Sequence, residues 1–180
     1  NRRSRGLGDV YKRQVVEIVD QDEALLEKTV EAIQALGGKA HGFVGDVRDA
    51  GQVTEFKHEV MKRHATVDVL VNNVGDYRPL VRFLDSSPDS WKEMYDNNLH
   101  HVFLVTHAFL QLMIDSGGGS IINVHSVEGM RGYPGDPVYG AMKAAVNHFS
   151  TCLASGYGRN GIRVNGMGVD LTQTAQVDYI

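Results

Sequence analysis

The chain has 180 residues and a formal net charge of −4. Hydrophobic residues make up 42% of it and charged residues 22%, and these ordinary globular fractions exclude a disordered or fibrous protein. The negative net charge gives no excess of basic residues for binding phosphates, so we expect no nucleic-acid partner. The single cysteine, Cys152, excludes an internal disulfide and a cysteine-based zinc site, and it fits a reducing compartment, so we expect a cytoplasmic protein.

Residues 1–14 differ in composition from the rest of the chain. They contain five basic residues and one acidic residue, Asp9. Asp9–Gln14 is also the translation of the end sequence of a transposase adapter used in sequencing libraries, and Ser4–Gly8 continues that adapter in the same frame. We therefore expect residues 1–14 to be an adapter-derived segment that lies outside the folded domain of residues 15–180.

From Val15 onward the hydrophobic pattern alternates between strands and helices. Apolar, β-branched runs predict five strands, at Val15–Val19, Ala40–Val44, Val67–Val71, Ser120–Val124 and Ile162–Val164. Helical spacing predicts four helices between them: one capped by Asp20 or Asp22 and ending at Leu36, one containing Val53, Phe56 and Val60, one from about Ser90 to Gly117, and one from Pro137 to about Gly156. This order predicts a doubly wound α/β fold, with helices on both faces of a parallel sheet.

Two further patterns bear on membranes and metals. The longest nearly apolar stretch, Val102–Leu110, is too short to span a bilayer, so we expect no membrane association. The eight histidines form no His-Glu-x-x-His pattern, and the adjacent His100 and His101 face different sides of their helix. We therefore expect no metal site.

The polar residues at the carboxyl ends of the predicted strands are the candidates for function, because parallel sheets bind ligands there. Tyr139 and Lys143 lie four residues apart on the helix that comes after one such end, so both side chains project from one face. A neighbouring cation lowers the pKa of a phenol from about 10, which makes the group usable as a general acid or base. Ser126 closes the preceding strand and can face the same spot.

These residues resemble the motifs of the short-chain dehydrogenase/reductase family. Asn72-Asn73-Val74-Gly75 is similar to the family's Asn-Asn-Ala-Gly motif, and Tyr139-Gly-Ala-Met-Lys143 is similar to its Tyr-x-x-x-Lys motif. Asn98-Leu99 matches the family's helix asparagine, and Asp46-Val47 matches the pair that contacts the adenine. Ser126 lies thirteen residues before Tyr139, as in the family. The resemblance extends from about Val15 to Thr174. It implies a Rossmann-type fold with three α/β/α layers, here expected to lack the family's first strand, its glycine-rich loop and its C-terminal elements.

The resemblance also implies a reaction. The family transfers a hydride between a nicotinamide cofactor and a secondary alcohol or ketone, so residues 15–180 are expected to form a partial NAD(P)-binding domain. Tyr139 would be the general acid/base, and Lys143 would lower its pKa and bind the nicotinamide ribose. Ser126 would orient the substrate oxygen, and Asn98 would hold the water of a proton relay.

Other positions are assigned to the cofactor and the substrate on the same basis. The expected cofactor contacts are Asp20, Asp46, Val47, Asn73, Val74, Gly75, Tyr139, Lys143 and Thr174. The carboxylate of Asp20 would accept hydrogen bonds from the ribose of NAD and repel the 2′-phosphate of NADP, so NAD is expected and NADP less so; alternatively, Asp20 only caps the next helix. By position, Asp76–Val81 and Glu128–Asp136 would line the pocket of a small alcohol or carbonyl substrate.

Alternatives and departures from the family pattern remain. The alternatives are an NADPH-dependent 3-oxoacyl thioester reductase and a non-catalytic nucleotide-binding protein of the same fold.

His101 replaces a usual glycine, His125 replaces a usual small residue, and Val169-Asp170 replaces Pro-Gly. We expect the parent protein to be an enzyme, by resemblance a homotetramer or homodimer, and the 180-residue chain as written to be inactive.

Overall fold

Two parallel sheets contain the strands of residues 14–170, the part of the chain that the computed structural model describes. This part divides into two compact units, the first ending at Arg63 and the second beginning at His64. Thr174, one of the expected cofactor contacts, lies outside the described residues.

The first unit is a two-stranded sheet with two helices. β1 (Val15–Asp20) pairs in parallel with β2 (Lys39–Val44), so that Val15 is opposite Lys39 and Asp20 is opposite Val44. Helix α1 (Glu23–Ala35) connects the two strands, and α2 (Ala50–Arg63) comes after β2. The buried hydrophobic residues of this unit are Leu26, Ala40, Val47, Val53, Phe56 and Val60, three of which are the α2 residues predicted from helical spacing.

Local chemistry determines where α1 begins and ends. The sequence left Asp20 and Asp22 open as its N-cap, and the structure identifies Asp22, whose side chain accepts a hydrogen bond of 3.0 Å from the backbone N–H of Leu25. The helix ends before Gly37, which has a left-handed φ of +80° that side-chain-bearing residues rarely adopt.

The second unit is a three-stranded sheet in the order β3 (Val69–Asn72), β4 (Gly119–Ser126), β5 (Ile162–Val169), with every pair parallel. In this register Asn72 is opposite Asn123, and Ser126 is opposite Val169. The carboxyl ends of β3 and β4 therefore lie at the same edge of the sheet, which brings the segments after Asn72 and Ser126 together.

The region predicted as one long helix from Ser90 is instead two helices joined by a wider turn. Helix α3 (Pro88–Tyr95) begins two residues earlier than predicted, because Ser87 and Ser90 form a reciprocal capping box and proline is favoured in a first turn. A π-helical turn (Asp96–His100) comes next and leads into α4 (His101–Asp115). Helix α5 (Pro137–Tyr157) lies between β4 and β5 in the chain and begins at the predicted residue.

A chain of buried hydrogen bonds connects the sheet to α4 and α5. The Asn72 amide donates to Thr106 Oγ1 at 3.0 Å and to Asn123 Oδ1 at 2.8 Å, and the Asn123 amide donates to Ser150 Oγ at 2.9 Å. All four side chains are at most 4% exposed. Because each bond is shielded from water, the network fixes the position of β3 relative to β4.

The predicted α/β class, with parallel strands separated by helices, is confirmed. The strand pairing is not continuous, however, since β1 and β2 form one sheet and the other three strands form another. No helix in residues 14–170 combines the length and hydrophobicity required of a membrane span.

Candidate active site

Tyr139 and Lys143 lie one turn apart near the start of α5. Asp136 is the N-cap of this helix, and its Oδ1 accepts a hydrogen bond of 3.1 Å from the backbone N–H of Tyr139. The cap thus fixes the first turn, which carries the tyrosine, and the helical repeat puts the lysine on the same face. The Lys143 ammonium lies over the Tyr139 ring, 5.7 Å from its centroid.

Ser126 reaches the same phenol from the end of β4. Its side chain is 6% exposed and forms a hydrogen bond with Tyr139. The serine oxygen also accepts from the backbone N–H of Glu128 at 3.2 Å, which holds the side chain in place. The structure therefore brings Ser126, Tyr139 and Lys143 together, as the sequence predicted.

The pKa of Tyr139 changes in the direction opposite to the one expected. Burial raises it above 10, the Ser126 hydrogen bond lowers it, and the carboxylates of Glu128, Asp136 and Asp76 raise it further. The net direction is upward because the loss of hydration outweighs the Ser126 hydrogen bond, and the lowering by Lys143 stays a prediction. Tyr139 is protonated at neutral pH and is equipped to donate a proton.

Lys143 is a buried cation. It is 4% exposed, and burial lowers its pKa from 10.5 to about 8. In residues 14–170 its ammonium group has no hydrogen-bond or ion-pair partner. The group retains its three N–H donors for a ligand, and only a modest free-energy change separates its charged and neutral forms at pH 7 to 8.

Gly75 lies against this ammonium group. A Cβ atom at position 75 would be 2.5 Å from Lys143 Nζ and 3.1 Å from Asn98 Oδ1. Real Cβ atoms do not approach other atoms at 2.5 Å, so a side chain at this position would displace the lysine. The glycine of the Asn-Asn-Val-Gly segment thus leaves space for the lysine, whereas Asn73 and Val74 have exposed side chains.

Asn98 lies in the π-helical turn and is fully buried. Its Oδ1 accepts from the backbone N–H of Asp76 at 3.1 Å, and its Nδ2 donates to the backbone carbonyls of Asp76 at 2.7 Å and Met94 at 3.2 Å. The amide thus connects the helix to the loop after β3. Such turns are frequent at functional sites, and this one places Asn98 beside Gly75 and Lys143.

His101 is a buried residue of this region to which sequence reasoning assigned no role. Its ring is 1% exposed, and among residues 14–170 neither nitrogen has a hydrogen-bond partner. Burial and then the charge of Lys143 lower its pKa from 6.5 to about 4, while the nearby backbone of Asp96 and Val74 acts in the opposite direction. The imidazole is therefore neutral at pH 7 and lies within electrostatic reach of the ammonium.

His125, the other departure from the family, has a packing explanation. Its ring is 3% exposed, and a Cβ atom at Gly166 or Gly168 of β5 would come within 2.9 or 3.0 Å of it. The two glycines on the adjacent strand thus make room for the imidazole. The signal that would have predicted this was the pair of glycines, two residues apart, in a strand that pairs with β4.

The residues expected to contact the adenosine part of the cofactor, Asp20, Asp46 and Val47, lie in the first unit. Asp20 Oδ1 accepts from the backbone N–H of Asp22 at 2.9 Å, so Asp20 supports the turn before α1 but is not its cap. Arg48 binds Asp46 through both carboxylate oxygens, and its Nη2 donates to Gln21 Oε1 at 3.4 Å. Val47 is buried. The sequence has no basic residue directly after Asp20, but the fold brings Arg48 to Gln21, which comes after Asp20 in the chain. Sequence reasoning missed this contact between Arg48 and Gln21.

Titratable side chains elsewhere in the described part of the chain form no cluster suited to a metal ion. No group of three or more His, Cys, Asp or Glu residues within residues 14–170 is arranged to hold a metal ion. The single cysteine, Cys152, is exposed, and its sulfur lies 3.6 Å from His148 Nε2.

Comparison with known proteins identifies the group to which this arrangement is similar. The sequence model described as short chain dehydrogenase matches residues 10–180. A 3-oxoacyl-[acyl-carrier-protein] reductase of Synechocystis sp. is 33% identical over 165 residues, which cover 89% of this chain and 66% of the relative.

Solved structures agree. A gluconate 5-dehydrogenase from Burkholderia cenocepacia in complex with NADP and tartrate superposes with a TM-score of 0.82 at 30% identity, covering 89% of this chain and 62% of the other. A 3-oxoacyl-[acyl-carrier protein] reductase with bound NAD from Brucella melitensis gives a TM-score of 0.77 at 29% identity, covering 86% and 60%. The chain thus spans slightly less than two thirds of the length of these proteins.

Proposed function

Because the chain belongs to the short-chain dehydrogenase/reductase family, we propose that the whole protein is a nicotinamide-dependent oxidoreductase that interconverts a secondary alcohol and a ketone, with Tyr139 as its general acid/base. One observation carries this proposal. A protonated phenol, a serine hydroxyl bonded to it and a buried ammonium over its ring come from two different elements and meet at one point.

The chemistry of each group fits a role in the reaction. In the direction of ketone reduction, Tyr139 Oη gives its proton to the carbonyl oxygen, and the raised pKa of Tyr139 keeps that proton available at neutral pH. Ser126 donates a hydrogen bond to the same oxygen and orients it. Asn98, bonded to the backbone at Asp76 and Met94, holds the loop after β3 against the π-helical turn.

The residues around Lys143 fit a nicotinamide cofactor. The ammonium is buried with its N–H donors unpartnered among residues 14–170, and Gly75 has no Cβ atom to block the approach of a ligand. Lys143 and Tyr139 would hold the ribose hydroxyls of the cofactor, and Asn73, Val74 and Gly75 would support it with backbone contacts. The cofactor supplies the hydride when bound.

The choice between the two nicotinamide cofactors depends on the first unit. We propose NAD, because the Asp20 carboxylate is suited to a ribose hydroxyl and not to a phosphate. Asp46 and Val47 would contact the adenine, and Thr174 the nicotinamide. A second candidate function, an NADPH-dependent 3-oxoacyl thioester reductase, is supported by Arg48, whose guanidinium reaches Gln21 next to Asp20.

A turnover assay tests the proposal. Residues 15–180 are joined at both ends to the parts of the Synechocystis relative that lie outside its match, and the oxidation of NADH and NADPH by this chimera is followed with a panel of ketones. Replacing Tyr139 by Phe should lower kcat by about 10²–10⁴-fold, because it removes the acid but not the ring. Tyr157→Phe, at the exposed end of α5, is the matched control and should keep full activity.

The assay also separates the alternatives. Cofactor binding without turnover in the unmutated chimera, or turnover that survives Tyr139→Phe, contradicts the proposed reaction; the first of these favours a non-catalytic nucleotide-binding protein. Faster turnover with NADPH than with NADH, reversed by Arg48→Gln, favours the thioester reductase.

Two further properties belong to the same proposal. We expect the protein to act in the cytoplasm, where its exposed thiol, Cys152, stays reduced. We also expect the full-length protein to be a homodimer or homotetramer, which sedimentation of the chimera measures.

A further inference from the structure

The ring of Tyr77 lies against the ring of Tyr139, the candidate general acid. The two ring centroids are 6.3 Å apart and the ring planes meet at 72°, which is the edge-to-face arrangement that aromatic pairs favour. Tyr77 belongs to the loop after β3, whereas Tyr139 lies in the first turn of α5. The sequence assigned Tyr77 only to the stretch expected to line the substrate pocket, so its contact with the acid has no role so far.

The backbone on both sides of Tyr77 is held in place. Asn98 is fully buried, and its amide accepts from the backbone N–H of Asp76 at 3.1 Å and donates to the carbonyl of the same residue at 2.7 Å. Asp76 in turn holds Arg78, because its Oδ1 accepts from the backbone N–H of Arg78 at 2.9 Å and its carboxylate binds the guanidinium at 3.0 and 2.8 Å. The loop therefore cannot carry the Tyr77 ring away from Tyr139 without breaking these bonds.

The other groups around the Tyr139 phenol come from three segments. They are Ser126 and Glu128 from the end of β4, Asp136 and Lys143 from α5, and Asp76 from the loop after β3. Two of the carboxylates are paired, Glu128 with Arg131 at 2.7 Å and Asp76 with Arg78. Burial nevertheless has the largest influence on the pKa of Tyr139 and raises it. A residue that covers the phenol therefore influences how readily Tyr139 releases its proton.

The Tyr77 ring can act on the phenol in two ways. Both rings are half-buried, so each shields part of the other from water. A phenolate needs hydration more than a neutral phenol does, and a neighbour that excludes water therefore favours the protonated form. Packing against Tyr77 also limits the directions in which the Tyr139 hydroxyl can point, and a small misplacement of a reacting group slows a reaction strongly.

We propose that Tyr77 is a positioning residue for Tyr139, whose ring excludes water from the phenol and fixes the direction of its hydroxyl group. Asn98 supports this arrangement from the π-helical turn, because it holds the backbone next to Tyr77. The effect of Tyr77 on turnover rests on the proposed function, whereas its effect on the exposure and the protonation of Tyr139 does not.

NMR of the 180-residue chain tests the contact without requiring turnover. The tyrosines are labelled with ¹³C at Cζ, and the signal of Tyr139 is the one that Tyr139→Phe removes. In Tyr77→Ala the pKa of Tyr139 should fall towards 10, the ordinary value of a phenol, because water reaches the ring. At pH 7, relaxation of the same signal by a soluble gadolinium chelate measures exposure and should become faster. A Tyr139 signal that keeps both its pKa and its relaxation rate in Tyr77→Ala overturns the proposal.

Two control variants separate the ring from other effects. Tyr77→Phe keeps the ring and removes only the hydroxyl, so the pKa and the relaxation of Tyr139 should stay close to those of the unmutated chain. Tyr157→Ala removes a ring from the exposed end of α5, about 27 Å along the helix from Tyr139, and should change neither. Thermal unfolding checks that each variant is folded. The proposal fails if either control changes Tyr139 as much as Tyr77→Ala does.

The chimera connects the contact to the reaction. Tyr77→Ala should lower kcat for ketone reduction by about 10- to 10²-fold without changing the KM for the cofactor, because the acid is misplaced while the cofactor site is intact. The loss of kcat at alkaline pH should also begin at lower pH, since Tyr139 then loses its proton more readily, and Tyr77→Phe should restore both properties.

Two results distinguish the contact from the reaction. If Tyr77→Ala raises only the KM for the ketone and leaves kcat and the NMR results unchanged, Tyr77 is a wall of the substrate pocket and the positioning role is wrong. If the NMR results are as expected but the unmutated chimera has no turnover, the contact with Tyr139 stands and the proposed reaction fails.

Discussion

The Lys143 ammonium lies 5.7 Å from the centroid of the Tyr139 ring, yet burial of the phenol determines the direction of its pKa. Both groups have lost hydration, which raises the pKa of the acid and lowers that of the base. In this state the Tyr139 phenol is a weaker acid than an exposed phenol, and the Lys143 ammonium is a stronger acid than an exposed ammonium. Both directions fit the proton donation by Tyr139 that we propose at neutral pH.

Gly75→Ala tests the close approach of the lysine. The new Cβ atom would be 2.5 Å from Lys143 Nζ, which is the end of a flexible side chain and will move aside. We expect the free energy of unfolding to fall by less than about 1 kcal/mol, while turnover of the chimera falls by about 10²-fold because a binding group is misplaced. Gly158→Ala, at the end of α5, where a Cβ atom meets nothing within 4 Å, should lower neither. Full activity in Gly75→Ala would contradict the argument.

Lys143→Met should stabilise the fold. Burial lowers the pKa of Lys143 from 10.5 to about 8, and one pKa unit corresponds to about 1.4 kcal/mol, so keeping the ammonium buried at pH 7 costs about 3 kcal/mol. The folded state loses this proton near pH 8 and the unfolded state near pH 10.5. The gain from methionine should therefore be greatest below pH 8 and vanish by about pH 10.5.

Urea unfolding of the 180-residue chain at several pH values measures this gain. Lys28→Met, at an exposed position of α1, is the control and should show no such pH dependence. A loss of stability in Lys143→Met at about pH 7 would mean that the ammonium has a stabilising partner.

His101 should make the fold sensitive to acid. Its pKa is lowered from 6.5 to about 4, so between these pH values the unfolded state binds a proton that the folded state does not. Stability therefore falls as the pH decreases from 6.5 to 4, by up to about 3 kcal/mol. His101→Gln removes the titrating ring and should flatten this part of the stability curve, whereas His107→Gln, at an exposed position of the same helix, should not. An unchanged curve in His101→Gln would contradict the assignment.

The buried amide network is expected to stabilise the second unit. Asn123→Leu keeps the approximate size of the side chain but removes the acceptor for Asn72 and the donor to Ser150. One buried N–H is then left without a partner, so the free energy of unfolding should decrease by about 1–3 kcal/mol. Asn165→Leu, an exposed asparagine of β5, is the control. Equal stability of the two variants would show that the network contributes little.

Periodicity predicted much of the fold. The α2 residues Val53, Phe56 and Val60 were identified from helical spacing alone, because the helical repeat decides which side chains share a face. The same rule predicted that Tyr139 and Lys143 project together. The break of the long helix at Asp96–His100 was missed, since a π-helical turn is stabilised by tertiary hydrogen bonds such as that between Asn98 and Asp76.

Local sequence therefore specifies the alternation of strands and helices, the helix caps and the residues that share a turn, because all of these depend on neighbours within a few positions. The direction of the pKa of Tyr139, the contact of its ring with Tyr77 and the approach of Arg48 to Gln21 became visible only in the folded chain. These properties depend on burial and on contacts between distant segments. The hydration that a group loses depends on all the segments that pack around it, and a local sequence pattern does not show which segments these are.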